Sequence, residues 1–220
     1  NGKNDLRLTS RMLRIALPLA FSAYARSALS TLEHLLVPRG LKSAGFSADR
    51  ALSGYGTIQG MVMPIISFPA CFLMALSELM IPELTEAQMR GESAEISHTV
   101  RSLLKKGSGY SLAVALAIFI FADRLGIAVY SSPEAGHFLR LLAPLIPIMY
   151  TDMLCDGCLK GLGQQMWNMG INVLDALLGV LLVWRVLPVY ALTGYICIIY
   201  FNECLNFALS MLRLGKVIRS

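Results

Sequence analysis

Three segments of this 220-residue chain carry ionisable and amide side chains at helical spacing inside otherwise apolar sequence. In the first, Ser22, Arg26, Ser30 and Glu33 fall at i, i+4, i+8 and i+11, one stripe on a helix of 3.6 residues per turn, with His34 beside it. The second repeats the device with Asn168, Asn172, Asp175 and Gly179, and the third with Glu203, Asn206 and Ser210, Asn202 lying adjacent. An ionisable group at the centre of a bilayer costs about 2.5 to 3.5 kcal/mol on insertion scales, so each must face protein, water or a partner. Three such stripes exceed what helix pairing requires and predict a shared hydrated cavity. The chemistry on offer is non-covalent: a guanidinium to hold an anion, carboxylates to bind a cation, and Glu33 with His34 as candidate ion-coupling groups, because an imidazole titrates near neutral pH. Arg26 and Glu33 stand two turns apart, roughly 10 Å along the axis, too far for a relaxed intrahelical pair. An alternative has Arg26 neutralised by Asp175 or Glu203 across a dry helix interface.

Other groupings read as structural. Asp152, Asp156 and Lys160 succeed one another at i+4 in an acid-before-base order that favours an Asp156–Lys160 pair. Cys155 and Cys158 form a CxxC spacing in an apolar helix-like context with no second Cys or His pair nearby, so no zinc or redox site is expected. There is no HExxH, no GxSxG, no Walker lysine loop and no Gly-rich turn after a strand, and His98 and His137 read as interfacial. No catalytic group, metal or cofactor is predicted. A membrane-embedded lipid-sugar transferase would have to rely on the Glu83, Glu86, Glu92 and Glu95 run, which reads better as a helical connector; a non-transporting scaffold would pack the three stripes dry.

The elements that position these residues are membrane helices. At 55% hydrophobic, 15% charged and a mean hydropathy of +0.60 the chain is not an ordinary water-soluble domain, and its length accommodates about six spans. Apolar runs place them at about 13–37, 55–81, 107–122, 137–161, 166–187 and 191–212, although only 51–77 is long and uncharged enough to identify a span alone. The breaks fall at 38–40, 82–106, 131–133, 160–165 and 187–188. Residues 83–106 read as an amphipathic connector, with Ile96, Val100, Leu103 and Leu104 at helical spacing among Glu92, Glu95, Arg101 and Lys105. Pro18, Pro64, Pro69, Pro144 and Pro147 lie inside spans and predict kinks, as in transporter helices that rock around a central site. If the N-terminus is inside, twelve Lys and Arg lie on the inner side and six on the outer, which predicts both termini cytoplasmic. The formal charge of +5 follows from that topology; no basic patch interleaves with surface aromatics, so nucleic acid is not an expected partner. The five Cys lie in apolar stretches and no disulfide framework is expected; there is no signal-peptide pattern.

The run from Arg26 to Leu41 (RSALSTLEHLLVPRGL) resembles the opening helix of the second lobe in the stage V sporulation protein B-like polysaccharide flippases, part of the multidrug and oligosaccharidyl-lipid exporter superfamily. Further similarities lie at Tyr55 to Gly60 with Met63-Pro64, Ile81-Pro82-Glu83-Leu84, Ser132 to Gly136, Leu159 to Gly163 and Tyr200 to Phe207, so that nearly the whole chain is covered. The resemblance implies an all-α six-helix lobe of a two-lobe transporter. Such a protein moves lipid-linked sugars across the bacterial cytoplasmic membrane by alternating access, with a first lobe of the same polypeptide and an anionic lipid-linked sugar as partners besides the membrane lipid. The chain is accordingly expected to be a piece of a longer protein. It also implies that Arg26 faces the cavity and holds a diphosphate bidentately, with Glu33, His34, Asp175 and Glu203 tuning that charge or coupling an ion, and Asn172, Asn202 and Asn206 completing the substrate site. Related lipid II flippases carry an Arg near the start of the second helix, where Tyr55 to Gln59 offers none, so cargo identity stays open and cation-coupled drug efflux is the same-fold alternative.

Overall fold

The computed structural model describes residues 2–43 and 48–219; the side chains of 1–16, 18, 19, 44–48, 51, 219 and 220 lie outside the described residues, and with them Lys3, Arg7, Arg11, Arg14, Pro18 and Arg219 of the sequence reading. All described elements are helical: α1 (Gly2–Ser43), α2 (Ala48–Thr57), α3 (Met63–Arg90), α4 (Ser93–Tyr130), α5 (Pro133–Leu142), α6 (Ile146–Gly161) and α7 (Gln165–Arg219). A π-turn (Ile58–Val62) joins α2 to α3, and a 3-10 turn (Ala143–Leu145) joins α5 to α6. Leu52–Arg90, Ser93–Tyr130, Pro133–Gly161 and Gln165–Ile218 are each long and apolar enough to cross a membrane.

Several boundaries differ from the periodicity reading. α1 passes the expected break at 38–40 and ends at Ser43. The expected connector over 83–106 is not one element: Gly91, in the left-handed region at φ 75°, ends α3, and the amphipathic half becomes the first turns of α4. Ile96, Val100 and Leu103 are buried while Glu95, Arg101 and Lys105 are exposed, so the predicted face is present, fused to the following span. α7 has 55 residues, roughly 80 Å if straight, far longer than a hydrocarbon core of about 30 Å. Ala191 (φ 48°, ψ −131°), three residues after Pro188, divides it into two legs. The legs fold back on each other: Gly179 packs on Asn202, and Arg213 donates to Gln164 just ahead of the helix.

Proline chemistry explains the irregular joints. Pro64 lacks an N–H and its ring crowds the carbonyl four residues back; the π-turn before it widens the ladder, with the Met63 N–H bonding Ile58 O. Pro144 sits in the 3-10 turn, where the Ile146 N–H reaches back only to Ala143 O.

The core is organised on α6. In the α5–α6 apolar window 61% of residues are buried, against 22–28% in the other long helices, so this passage lies inside and the rest surround it. Tyr150, Leu154, Cys155, Cys158 and Leu159 are all fully enclosed. Small residues let the neighbours approach: Gly157 lies against Ser77 of α3, Gly161 against Ile81 and Leu84, and Gly107 of α4 against Leu154. Hydrogen bonds pin the same contacts, Tyr150 Oη donating to Ile66 O (2.5 Å) and Ser77 Oγ to Met153 O (3.3 Å). At the opposite end from Gly91, α4 and α5 form a hairpin in which Gly126 and Gly136 meet backbone to backbone and Arg140 pairs with Asp123 at 2.6 Å.

Two substitutions separate these devices. A methyl group at Gly126 would overlap the Gly136 nitrogen and lie 2.8 Å from Ser132 O, so Gly126→Ala is expected to destabilise by about 1–3 kcal/mol. Ala191→Gly removes a side chain from a positive-φ position and should hold or raise stability by up to about 1 kcal/mol. Thermal unfolding in detergent micelles measures both.

Candidate functional site

The three polar stripes meet. α1, α6 and the two legs of α7 bound a row of three adjoining recesses, of which the first, about 590 Å³, is lined by Ser22, Arg26, Ser30, Asp156, Lys160, Asn168 and Asn172. The second, about 340 Å³, shares Arg26, Asp156, Lys160 and Asn172 with it and adds Asp152, Glu203 and Asn206, together with Ser77 and Glu78 of α3. The third, about 220 Å³, shares Glu203 with the second and adds Glu33, His34, Tyr55, Gln59, Asp175, Tyr195 and Asn202. Arg26, Glu33, His34, Asn172, Asp175, Asn202, Glu203 and Asn206 therefore all line this row.

Arg26 stands at the junction of the first two recesses. It is exposed and makes no hydrogen bond or ion pair among the described residues, while Asp156 and Asp175 both lie within its electrostatic reach. Its neighbours Asp156 and Lys160 belong to the last turns of α6, and Asn168 and Asn172 to the first turns of α7, so Arg26 sits towards one end of the bundle, not at its middle. Glu33 lies about two turns further along α1, where Gly179 opens the helix contact: a Cβ there would come within 2.9 Å of Asn202 Nδ2 and 3.4 Å of Glu33 Oε2.

Six oxygen atoms on these helices are buried without a hydrogen-bond partner among the described residues: Asp152 Oδ1, Asp156 Oδ1, Asp175 Oδ1, Asn202 Oδ1, Asn206 Oδ1 and Ser210 Oγ. Asp152 is 6% exposed and Ser210 0%. A buried acceptor left without a donor costs roughly 1–3 kcal/mol; Ser210 stands beside Asp152, and Asn168 and Asn172 beside Asp156, yet the six oxygens still have room for a further donor or cation. Asn168 and Asn172 are the exception, since the Asn172 amide donates to Asn168 O at 2.9 Å and to Asn168 Oδ1 at 2.8 Å.

Several contributors went unread in the sequence. The structure places Asp152, Asp156 and Lys160 on the recess walls, and Asp156 and Lys160 form no ion pair within 4.0 Å, which corrects their reading as a closed structural pair. Their i+4 spacing was the same signal that marked the other stripes. Tyr55, Gln59 and Tyr195 carried no stripe at all. They form a polar chain with His34: His34 Nδ1 and Tyr55 Oη lie 3.0 Å apart, the Tyr55 and Tyr195 rings meet edge-on at 5.2 Å, and Gln59 Nε2 donates to Tyr195 Oη at 2.5 Å. The Cys155 and Cys158 thiols are buried, free and outside the row; among the described residues no three His, Cys, Asp or Glu side chains cluster to hold a metal. The hydroxyls of that polar chain should each contribute about 1 kcal/mol. Tyr55→Phe and Tyr195→Phe are expected to lower thermal stability singly and less than additively in combination, as read by a double-mutant cycle in micelles.

The MatE family model matches residues 43–184, from the end of α1 into the first leg of α7. Sporulation protein YkvU of Bacillus subtilis (strain 168) is 28% identical over 153 residues, which is 70% of this chain and 34% of that protein. Stage V sporulation protein B of the same organism is 22% identical over 182 residues, 81% of this chain and 34% of that protein. The chain thus spans about a third of the length of the curated relatives it matches. No solved structure matches it. A multi-pass membrane protein built from these helices, matched by this model over most of its length and similar to these two sporulation proteins, belongs to the MatE family of membrane transporters.

Proposed function

We propose that this chain forms one lobe of a flippase that moves a lipid-linked oligosaccharide or peptidoglycan precursor across the bacterial cytoplasmic membrane by alternating access, a first lobe of the same polypeptide closing the other side. The observation that carries this reading is the free Arg26 guanidinium at the junction of two recesses, beside Lys160 and the Asn168–Asn172 amides. A planar guanidinium presents paired donors that match two phosphate oxygens, and an ammonium beside it adds a second positive charge. Asn206 and Asn202, with open carbonyl oxygens, accept from sugar hydroxyls, and Glu33 with His34 couples an ion. The helix joints at 58–62, 143–145 and 191 supply the bends that rocking motion needs.

A second reading, efflux of cationic compounds, is favoured by the acids Asp152, Asp156, Asp175 and Glu203, three of which have an unpartnered buried oxygen. Arg26→Ala in the full-length transporter, reconstituted in vesicles with a fluorescent lipid-linked sugar, is expected to weaken cargo binding roughly tenfold to hundredfold and to stop flipping, while helicity stays unchanged. Wild-type flipping by that variant overturns the reading. Asp175→Asn and Glu203→Gln, scored for resistance to cationic drugs, are expected to leave resistance unchanged if the cargo is anionic and to abolish it if the second reading holds.

A further inference from the structure

At the end of the bundle where α3 meets α4, a recess of about 440 Å³ shares no lining residue with the three already described. Its walls come from four places in the chain: Gln88 and Gly91 at the end of α3, Ser93 and Ile96 in the first turn of α4, Leu162 and Gln164 after α6, and Arg213 to Ile218 at the end of α7. Two of its lining residues are cations, Arg213 and Lys216, and none is acidic. Glu86 and Glu92 instead pair with Arg90, at 2.7 and 3.9 Å, and do not line it.

Arg213 is held ready. Its Nε and Nη2 donate to Gln164 Oε1 at 3.1 and 2.5 Å, and its guanidinium lies over the Trp167 ring at 4.8 Å from the centroid. A neutral amide and an aromatic face fix the side chain without cancelling its charge, and the remaining N–H donors stay available. No carboxylate lies within 4.0 Å of it among the described residues. α4 starts at the wall with no side-chain hydrogen bond at its cap, and the two acids of its start, Glu92 and Glu95, do not line the recess. The opposite wall, Ile96, Leu162, Val217 and Ile218, is apolar.

We infer that this recess binds the phosphate headgroup of an anionic phospholipid. The shared chemistry is a phosphate anion; the lipid source follows from the setting. The recess lies at the end of the bundle, where the ends of α3, α4, α6 and α7 meet, its charge sits beside the half-exposed Trp167 as in an interfacial aromatic belt, and its apolar wall takes the glycerol and first acyl carbons. A docked headgroup ties the ends of α3, α4 and α7 together on one side of the lobe.

The test reconstitutes the full-length transporter in nanodiscs of phosphatidylcholine with and without about 20% phosphatidylglycerol and measures how strongly phosphatidylglycerol is enriched around the protein, with inorganic phosphate as a separate competitor. Wild type is expected to show a phosphatidylglycerol preference, and Arg213→Gln with Lys216→Gln to reduce that preference by about fivefold for each charge removed. Ser93→Asp, which places an anion in the recess and leaves the Arg213–Trp167 stack alone, should reduce it as well, so the inference does not depend on the folding of the arginine variant. Arg101→Gln with Lys105→Gln, two cations outside the recess, should retain most of it. Equal losses from the two basic pairs, or an undiminished preference in the Ser93→Asp protein, would overturn the site; loss of the phosphatidylglycerol enrichment to millimolar inorganic phosphate would overturn the lipid source.

Discussion

A carboxylate in an apolar bundle needs company, and that requirement governs how these helices turn about their axes. Asp152, Asp156, Asp175 and Glu203 lie on three different helical passages, and all face the same row of recesses as Arg26 and Lys160. Rotating any one of these helices by half a turn would set its charge against lipid at a cost of several kcal/mol per group. Packing of α6 holds that orientation: Tyr150, Leu154 and Leu159 are fully enclosed, and the helix is seated on α3 and α4 by glycine contacts and by two hydrogen bonds to backbone carbonyls.

The polar row is mixed and incompletely paired, and in this it differs from the rest of the molecule. Elsewhere charges close: Arg140 of α5 reaches Asp123 of α4 at 2.6 Å, and within α3 Arg90 reaches Glu86 at 2.7 Å. In the row, acids and bases stand near one another without forming an ion pair among the described residues, and five buried oxygens on its walls have no hydrogen-bond partner there. Such an arrangement is costly in a finished interior and suits a space that a ligand, water or ion completes. The recess beside Arg213 is of a third kind, cationic without acids, its charge fixed by Gln164 and Trp167.

Backbone irregularities sit beside this space. The π-turn at 58–62 aims Gln59 at Tyr195, and the turn at Ala191 sets the second leg of α7 against the first, so that Asn202 and Glu203 meet Asp175 and Glu33. Each irregularity adjoins a proline, where the missing N–H has already broken the regular ladder and bending is cheapest.

The amino-acid sequence by itself determined the class and the stripes. Apolar composition and length require membrane helices, and helical spacing puts Arg26 with Glu33, Asn172 with Asp175, and Glu203 with Asn206 on single faces, because a period of 3.6 is a local property. Local information also located the prolines at the joints. It did not decide where one helix ends: the 83–106 segment reads as a separate connector, yet backbone hydrogen bonding carried α3 into it as far as Arg90 and, after Gly91, made the rest the first turns of α4. Which stripe faces which was decided only by tertiary packing. Asp156 and Lys160 satisfied a local pairing rule, but tertiary packing set both on recess walls shared with Arg26 of α1 and Asn172 of α7, and the pair stayed open. Tyr55, Gln59 and Tyr195 gave no local signal, since an isolated hydroxyl or amide in an apolar run acquires meaning only from the partner that a distant helix supplies.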